Sequence, residues 1–504
     1  MHAKVTHLRR FPGVLTGVLA CSIALCLNPA DTLARDAAGA PPSSPAPKAK
    51  RGGTGSPSTV PLTLADAVFL ALRHNRTIRS AHIDRIAQKF DLRVAEDRFG
   101  PQFAVSGSVI RQRSAGLRTT GAEVAPSATI QLPTGATFGF AWANTLTEGG
   151  AGRTRSSVAE ISVNQPLLRG GGVEVNMAPV RAARLSERIN QLRLKATVSE
   201  TIAQVILAYR DLLRAQEEAA LADGAVGRAR DLLAVNRALI AAGRMAEVEV
   251  VQTEADLENQ RIRVLEAVKG LDAARLLLLD LLALDLGTAI VAQESTNPAK
   301  VAPDLTQAMD MALAERPDYL GQRLVVEQNR LGVTVTRNER LWDVSLFATG
   351  RLGRESVSGA GAESSRVSDM TAGLSLAIPL NGLRRDQPYV QASTALQTSE
   401  LQLAAIRQGV EMQVRNSLTD INIRWRQLES ARRARDLTQR AVDIEKEKLK
   451  VGRSSNFQVR ALENDLRSVE NQQLSAMIGY LNALTILDMQ LGTTLSTWQI
   501  TLAD

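Results

Sequence analysis

Cysteine and histidine, the side chains that most often act as nucleophiles, general bases or metal ligands, are scarce in this sequence. The 504 residues contain two cysteines, Cys21 and Cys26, and four histidines. Both thiols lie within a predicted signal peptide, so the mature chain would retain His74 and His82 from this group of side chains. Two histidines rarely suffice for a metal cluster or for acid–base catalysis. We therefore predict no catalytic residue, no metal site and no cofactor, and we do not expect an enzyme.

The signal peptide is predicted to span residues 1–34. Basic residues near its start precede a mostly apolar stretch at 11–27, and small residues follow at Thr32 and Ala34. This arrangement is typical of a bacterial secretory signal that is cleaved, here before Arg35. We therefore expect an exported protein.

An alternative processing site lies within the same segment. Val18, Leu19 and Ala20 precede Cys21 in an order that loosely resembles a lipobox, in which the cysteine thiol is lipidated. Leu19 is an unusual residue at its position, and cleavage there would leave an apolar start to the mature chain. Two processing routes are therefore considered: lipidation at Cys21, and cleavage before Arg35.

Composition argues against a nucleic-acid partner. The net charge is +8 with 22% charged residues, and the basic side chains are interspersed with acids rather than clustered. Aromatic residues make up 3% of the chain, which is too few for the stacking platforms of RNA-binding modules. Residues 35–61, rich in proline, glycine and serine, are predicted to form a disordered linker.

The rest of the sequence is an internal duplication. Ten residues within 243–274 recur 209 positions later. In the first copy they are Gly243, Arg244, Val250, Glu254, Asp256, Leu257, Leu265, Ala267, Gly270 and Ala274. We place repeat 1 at 62–290 and repeat 2 at 305–495, with a connector at 291–304 and a C-terminal tail at 496–504.

Each repeat contains a long span that favours helix. Neither 180–242 nor 389–451 contains a proline, and both are rich in alanine, leucine, glutamine, glutamate and arginine. We predict one helix over each span, 63 residues long. Each helix would be about 95 Å long. Apolar residues at alternating steps of four and three, starting with Leu185 and Ile189, predict coiled-coil packing.

A glycine follows each of these spans. Gly243 and Gly452 suit a helix C-cap and a reversal of chain direction. We predict that helices at 244–286 and 453–492 return alongside the long ones. Because the two long arms are equal in length, both reversals should lie at the same end of one rod.

Between the helices the period of the apolar residues changes to two. Phe138, Phe140 and Trp142 alternate with small or polar residues, and repeat 2 contains a similar stretch. Such alternation is typical of membrane barrel strands, whose apolar side chains face lipid or its aromatic belt. We predict β-hairpins within 103–169 and 344–380, hence four strands per chain, with the three aromatic side chains facing lipid.

Four strands cannot close a barrel, because the two edge strands would expose unpaired backbone groups to lipid. Three chains would close a shared 12-stranded barrel. The stretch between Arg113 and Ser157 is longer than a hairpin needs, and we expect part of it to form an extracellular extension. Outside the signal peptide no apolar run approaches the roughly 20 residues of a membrane-spanning helix, so a barrel is the predicted way across.

Taken in this order, the elements resemble the outer-membrane efflux (TolC-like) family. Residues 63–75 look like its opening helix, 165–170 (Gln-Pro-Leu-Leu-Arg-Gly) like its strand-to-helix junction and 452–459 like its second helical tip. The resemblance covers about residues 62 to 495. It implies a mainly α fold with a membrane β-barrel: a homotrimeric α-barrel of long coiled-coil helices in the periplasm, joined to a β-barrel in outer-membrane lipid.

The resemblance also implies a function and partners. Members of the family are the outer-membrane channels of tripartite efflux or type I secretion systems. They receive substrates from an inner-membrane pump of the RND or ABC type through a periplasmic adaptor (membrane fusion) protein. The adaptor meets the helical tips, which here are Gly243, Arg244, Gly452, Arg453, Ser454 and Ser455. These residues could instead serve as turns alone, and both interpretations are kept.

This sequence departs from the family at the periplasmic entrance. The best-known members close it with aspartates six and nine residues after the second tip glycine, where this chain has Gln458 and Ala461. Six residues after the first tip glycine lies Glu249. We predict that charge at the entrance depends on Glu249, unless that side chain is a solvated residue paired with Arg244.

A second hypothesis is a periplasmic coiled-coil structural or adaptor protein without a barrel. Such a protein would share the long helices but not the alternating segments that end at Pro166 and Pro379. The sequence does not distinguish drugs, metal ions and polypeptides as cargo.

Overall fold

The computed structural model describes residues 60–114, 117–149, 152–294, 298–358, 363–380 and 382–502. The predicted signal peptide, Cys21 with its possible lipid, and the linker as far as residue 59 lie outside these described residues.

Each repeat consists of two consecutive helices, a group of strands, a long helix and a returning helix. Repeat 1 comprises α1 (Leu64–His74), α2 (Arg76–Glu96), β2 (Gln102–Ser114), β3 (Leu117–Gln131), β4 (Thr137–Gly149), β5 (Gly152–Pro166), α3 (Val173–Ala241) and α4 (Val248–Leu281). Repeat 2 comprises α5 (Leu305–Glu315), α6 (Pro317–Glu339), β7 (Asp343–Ser358), β8 (Glu363–Ala377), α7 (Leu383–Lys450) and α8 (Asn456–Leu491). The short elements β1 (Val60–Leu62), β6 (Ile290–Ala292) and α9 (Thr494–Thr497) flank the repeats.

The start of each repeat is specified by a local helix cap. The Thr63 hydroxyl accepts a hydrogen bond from the Asp66 amide at 3.2 Å, and the Asp66 carboxylate accepts one from the Thr63 amide, also at 3.2 Å. In repeat 2 the Asp304 carboxylate accepts hydrogen bonds from the amides of Thr306 and Gln307. Both caps satisfy amides that have no partner within the helix.

The two long helices begin earlier than the proline pattern indicates. α3 has 69 residues and starts at Val173 rather than at residue 180, while α7 has 68 residues and starts at Leu383 rather than at 389. Pro179 and Pro388 therefore lie inside the helices. Each lies within the first two turns, where the loss of one backbone hydrogen bond interrupts little of the helix. Each helix is about 100 Å long.

Six of the strands form one antiparallel sheet with the order β2-β3-β4-β5-β7-β8, in which the β5–β7 pairing joins the two repeats. The prediction of a mainly helical, duplicated chain with a sheet is confirmed, but the count of four strands per chain is wrong, and the total of twelve no longer follows from three chains. β3 and β4 occupy most of the stretch that we expected to form an extracellular extension. Their turn closes through a 2.7 Å hydrogen bond from the Leu132 amide to the Ala136 carbonyl.

The sequence does not predict β3, because the apolar residues of this strand alternate only weakly with polar ones. Three of its positions on one face carry Ala122, Pro126 and Ala128, which are small or unusual in strands, and these three residues interrupt the pattern of Val124 and Ile130. Pairing with β2 and β4 specifies this strand, since both neighbours supply the backbone partners.

The connector and the tail pack onto the helices. β1 pairs with β6 in parallel, and the buried Tyr209 of α3 donates a 2.9 Å hydrogen bond to the Leu62 carbonyl. Burial raises the pKa of the Tyr209 hydroxyl to about 12. In the tail, Trp498, Ile500 and Leu502 are partly buried against the hydrophobic cluster that contains Tyr209.

Among the described helices, α8 alone is long and apolar enough to cross a membrane, by length and composition. The buried residues of α8 belong to the chain's own hydrophobic clusters: Leu474 and Ile478 to the cluster around Tyr209, and Tyr480 to the cluster around Val414. Packing against α3 and α7 therefore accounts for its apolar composition.

Candidate functional sites at the helical tips and on the sheet

Both long helices end in the same glycine-dependent reversal. Gly243 has φ 64° and Gly452 has φ 76°, in the left-handed region that side chains with a Cβ rarely adopt. In each case the glycine amide donates to the carbonyl three residues earlier, at 2.8 and 3.0 Å. The amides of Arg244 and Arg453 donate to the carbonyl five residues earlier, both at 2.8 Å. This is the Schellman arrangement, which satisfies carbonyls at the helix end.

The two tips lie against each other. A Cβ built on Gly452 would come within 3.0 Å of the Arg244 guanidinium, whereas one built on Gly243 would meet nothing within 4 Å. The structure therefore brings Gly452 and Arg244, which are 208 positions apart in sequence, to one place.

The second tip is ordered by side chains that the first tip lacks. Ser455 caps α8 by accepting a 3.3 Å hydrogen bond from the Gln458 amide, and the Gln458 side chain accepts one from the Ser455 amide at 3.3 Å. The Ser454 hydroxyl donates to the Glu445 carboxylate, and this bond, together with one from Lys448, lowers the pKa of Glu445. In the first tip Glu247 precedes α4 without a side-chain cap, and α4 begins at Val248 rather than at the predicted 244.

A buried polar cluster joins the two hairpins just inside the tips. The Asn236 side-chain amide donates to Thr253 Oγ1 and to Asn456 Oδ1, both at 2.9 Å. The Asn456 amide donates to Glu249 Oε2 at 2.9 Å and to Thr253 Oγ1 at 3.2 Å. Asn236, Thr253 and Asn456 are 0%, 1% and 2% exposed. Glu249 therefore accepts a hydrogen bond from the opposite hairpin, a contact that the sequence did not predict.

Sequence reasoning missed three members of this polar cluster. Asn236 carried a detectable signal, because it lies at three- and four-residue spacing from Leu232, Leu233, Leu239 and Ile240, in the buried seam of α3. A polar side chain in such a seam requires a partner. No spacing rule connects it to Asn456, which arrives from the other repeat.

Further from the tips, ion pairs link the hairpins. Arg228 on α3 contacts Glu463 and Glu470 on α8, each at 3.0 Å, and Lys446 on α7 also contacts Glu463. These side chains are largely buried, so each charge depends on its partner. In this part of the rod, ion pairs as well as apolar contacts therefore hold the two hairpins together.

The sheet has one apolar face. Pairing places Phe103, Ala128, Phe140, Ile161, Gly350 and Met370 in one row across all six strands. Side chains alternate between the two faces along each strand, so the exposed apolar side chains at an even number of residues from this row point to the same face. These side chains, which define the apolar face, include Val105, Ile130, Phe138, Trp142, Leu346, Leu352, Leu374 and Leu376. Such a surface is far larger than a soluble monomer normally exposes.

Phe138, Phe140 and Trp142 all lie on the apolar face and are 42%, 44% and 47% exposed. The Trp142 indole donates a 3.1 Å hydrogen bond to the Ser157 hydroxyl, so its polar atom has a partner within the sheet. The opposite face, here called the polar face, carries threonine, serine and charged side chains, and Arg351 pairs there with Glu160 at 3.3 Å.

The sequence profile of the outer membrane efflux protein family matches residues 68–283 and 308–493, most of the chain, with one match in each repeat. The chain belongs to this family. Solved channels share its fold: the CmeC outer membrane channel of Campylobacter jejuni superposes with a TM-score of 0.65 at 17% identity, over 85% of each chain. The family places the protein in the outer membrane with its helical rod in the periplasm, and a coiled coil without a membrane sheet is not favoured.

Two curated relatives are more similar in sequence. The cobalt-zinc-cadmium resistance protein CzcC of Cupriavidus metallidurans is 27% identical over 205 residues, which are 40% of this chain and 47% of CzcC. The alkaline protease secretion protein AprF of Pseudomonas aeruginosa is 24% identical over 339 residues, which are 65% of this chain and 68% of AprF. The chain thus spans about half the length of CzcC and about two thirds of AprF.

Proposed function

We propose that this family member is the outer-membrane channel of a tripartite efflux or type I secretion system. One observation carries the proposal: a single chain joins a sheet with a continuous exposed apolar face to two helical hairpins about 100 Å long. The apolar face suits lipid, and the rod suits a periplasmic conduit. Substrates would pass from an inner-membrane pump through a periplasmic adaptor into this conduit.

We propose that the channel is a homotrimer with eighteen strands. A six-stranded sheet cannot close by itself, since membrane barrels start at about eight strands. Because six is even, β8 of one chain runs antiparallel to β2 of the next, which permits closure. Strand pairing allows two or more copies, and the family resemblance favours three. Native mass spectrometry of the detergent-solubilised mature protein should show trimers; a stable monomer would contradict barrel closure, and a dimer would mean twelve strands.

The tips are proposed as the adaptor-docking edge. Arg244, Arg453, Ser454 and the two reversal glycines lie at the exposed ends of both hairpins. A photocrosslinker at Arg453 should yield a product with a periplasmic adaptor protein, whereas one at the exposed Arg407, in the first half of α7 and far from the tips, should not. Equal crosslinking at both positions would mean that the tips are turns without a docking role.

Glu249 is proposed to set charge selectivity at the periplasmic entrance. It is half-buried at the tip, and a trimer would present three copies around one axis. Glu249→Gln should move the reversal potential in a salt gradient toward zero with little change in conductance. Glu247→Gln, an exposed substitution at the same tip, is the matched control. An unchanged reversal potential in Glu249→Gln would mean that Glu249 does not set charge selectivity and acts only through its hydrogen bond with Asn456.

The relatives indicate two classes of cargo. CzcC is named for resistance to cobalt, zinc and cadmium, and AprF for secretion of a protease. Deletion of the gene should therefore either sensitise the cell to these metal ions or remove a polypeptide from the culture medium. The inner-membrane pump recovered with the crosslinked adaptor, of the RND or the ABC type, identifies the system independently.

A further inference from the structure

Seven arginines lie on the apolar face at the end of the sheet remote from the helices. They define an arginine girdle: Arg111, Arg113, Arg118, Arg153, Arg155, Arg354 and Arg366. Strand alternation places all seven on the same face as Phe140, and all are exposed. Within the described strands this face carries one acid, Glu148, which pairs with Arg153 at 3.0 Å.

The polar face has the opposite charge balance. Its acids along the same strands are Glu123, Glu160, Asp343, Glu355, Glu363 and Asp369, against the single base Arg351 in the described part of the sheet. Strand ends that were merely solvated would mix both signs on both faces. The separation of charge therefore shows that the two faces meet different surroundings.

Within the girdle, like charges stand directly opposite one another. Arg354 pairs with Arg366 across β7 and β8, and Arg113 pairs with Arg118 across β2 and β3. Directly opposed like charges destabilise a sheet unless a counter-charge lies between them. Two guanidinium groups on neighbouring strands can hold one phosphate, because each donates two parallel hydrogen bonds.

The girdle lies at the height of a membrane surface. On β8, ten residues separate Leu376, near the helices, from Arg366. At about 3.3 Å per residue and a strand tilt of about 40°, this separation corresponds to roughly 25 Å along the membrane normal, which is the height of a barrel's apolar band. Arg366 therefore follows directly after the span that hydrocarbon would cover.

We propose that the arginine girdle binds the phosphate groups of anionic lipid headgroups in the outer leaflet of the outer membrane. The inference rests on the proposed function, because it takes the apolar face to lie in the membrane. The acyl chains would cover the apolar face below the girdle, while the headgroup phosphates bridge the opposed arginines. The occupant is a lipid rather than a free anion, because the phosphate site and the apolar surface are continuous along the same strands.

The test measures binding of diphosphoryl lipid A to the full mature protein by native mass spectrometry, with monophosphoryl lipid A and phosphatidylcholine for comparison. We expect binding to rise with the number of phosphates. The triple variant Arg155→Gln/Arg354→Gln/Arg366→Gln should lose about tenfold or more in apparent affinity for diphosphoryl lipid A. The control Arg407→Gln/Arg433→Gln/Arg440→Gln removes the same charge from exposed positions on α7 and should bind as the wild type does.

Equal binding by the girdle variant and the wild type would overturn the proposal, as would an equal loss in the α7 control. Displacement of lipid A by excess inorganic phosphate would mean a free-anion site and would also overturn it. The triple Arg→Lys variant retains charge but not the bidentate geometry, so intermediate affinity is expected even if the glutamine variant assembles poorly. Insertion into phosphatidylcholine vesicles is measured separately. Failure of the wild type to insert would contradict the proposed channel. If the wild type inserts but its binding of lipid A does not rise with the number of phosphates, only the proposed lipid site at the arginine girdle is contradicted.

Discussion

Replacing Asn456 with aspartate tests the polar cluster that joins the two hairpins. Asn456 donates hydrogen bonds to Glu249 and Thr253 and accepts one from Asn236. Asn456→Asp keeps the size of the side chain but removes both donated bonds. It also places a second carboxylate in the position that now donates to Glu249 at 2.9 Å. The substitution therefore turns an attraction between the hairpins into a repulsion.

The expected cost follows from two contributions. Two carboxylates about 4 Å apart at an effective dielectric constant of about 20 repel by about 4 kcal/mol. The lost hydrogen bond to a charged acceptor is worth a further 1.5 to 3 kcal/mol or so. Because Glu249 is half exposed, solvent screening and small movements will reduce the sum, and we expect a net loss of about 2 to 4 kcal/mol at the tips.

Hydrogen exchange followed by mass spectrometry measures this loss locally. A loss of about 2 to 4 kcal/mol corresponds to exchange about 30- to 1000-fold faster for amides in the second and third turns of α4 and α8, which have hydrogen-bond partners within the helix. Exchange in the middle of α3 should not change. Asn464→Asp makes the same chemical change at an exposed position two turns along α8 and should have little effect.

A charge swap completes the cycle. In Asn456→Asp/Glu249→Gln the new glutamine can donate to the new aspartate, so protection at the tips should largely return. Unchanged exchange in Asn456→Asp, or no recovery in the double variant, would refute the assignment of this cluster as the link between the hairpins.

Three further predictions concern other parts of the molecule. Gly452→Ala should destabilise the second tip by about 1 to 2 kcal/mol, because φ 76° is unfavourable for alanine, and local hydrogen exchange would reveal it. The hydrogen bonds from Arg85 lower the pKa of Glu187, so this pair contributes stability above the unfolded-state pKa and loses it as the pH falls through the lower folded-state value. The melting temperature of the wild type should therefore fall more steeply than that of Glu187→Gln on acidification below about pH 4.5; parallel curves would contradict this. Phe140→Asp should block insertion into membranes, whereas Ala141→Asp, on the polar face, should insert normally; equal behaviour would contradict the assignment of the faces.

Much of the fold was readable from local patterns. Residues 63–75 predict the first helix of repeat 1 by resemblance, and Gly243 and Gly452 predict the reversals. The proline-free spans place the starts of the two long helices too late, because Pro179 and Pro388 lie inside them. Proline removes one hydrogen bond and does not by itself end a helix that is packed along its length.

The strand count was not readable from such patterns. β3 carries Ala122, Pro126 and Ala128 between its larger apolar side chains, so its alternation is weak, and pairing with β2 and β4 specifies it as a strand. The same pairing aligns arginines from five strands into one girdle. In sequence these arginines are scattered residues without a shared period.

What the sequence by itself determined was therefore the duplication, the long helices, their glycine reversals and the apolar alternation of strands such as β4. Each of these depends on backbone geometry and on neighbours within a few residues. The tertiary structure decided the register of the six strands, the contact of Arg244 with the second tip, and the meeting of Asn236, Glu249 and Asn456. Those contacts join residues up to about 220 positions apart, because burial leaves each polar group only the partners that packing brings to it.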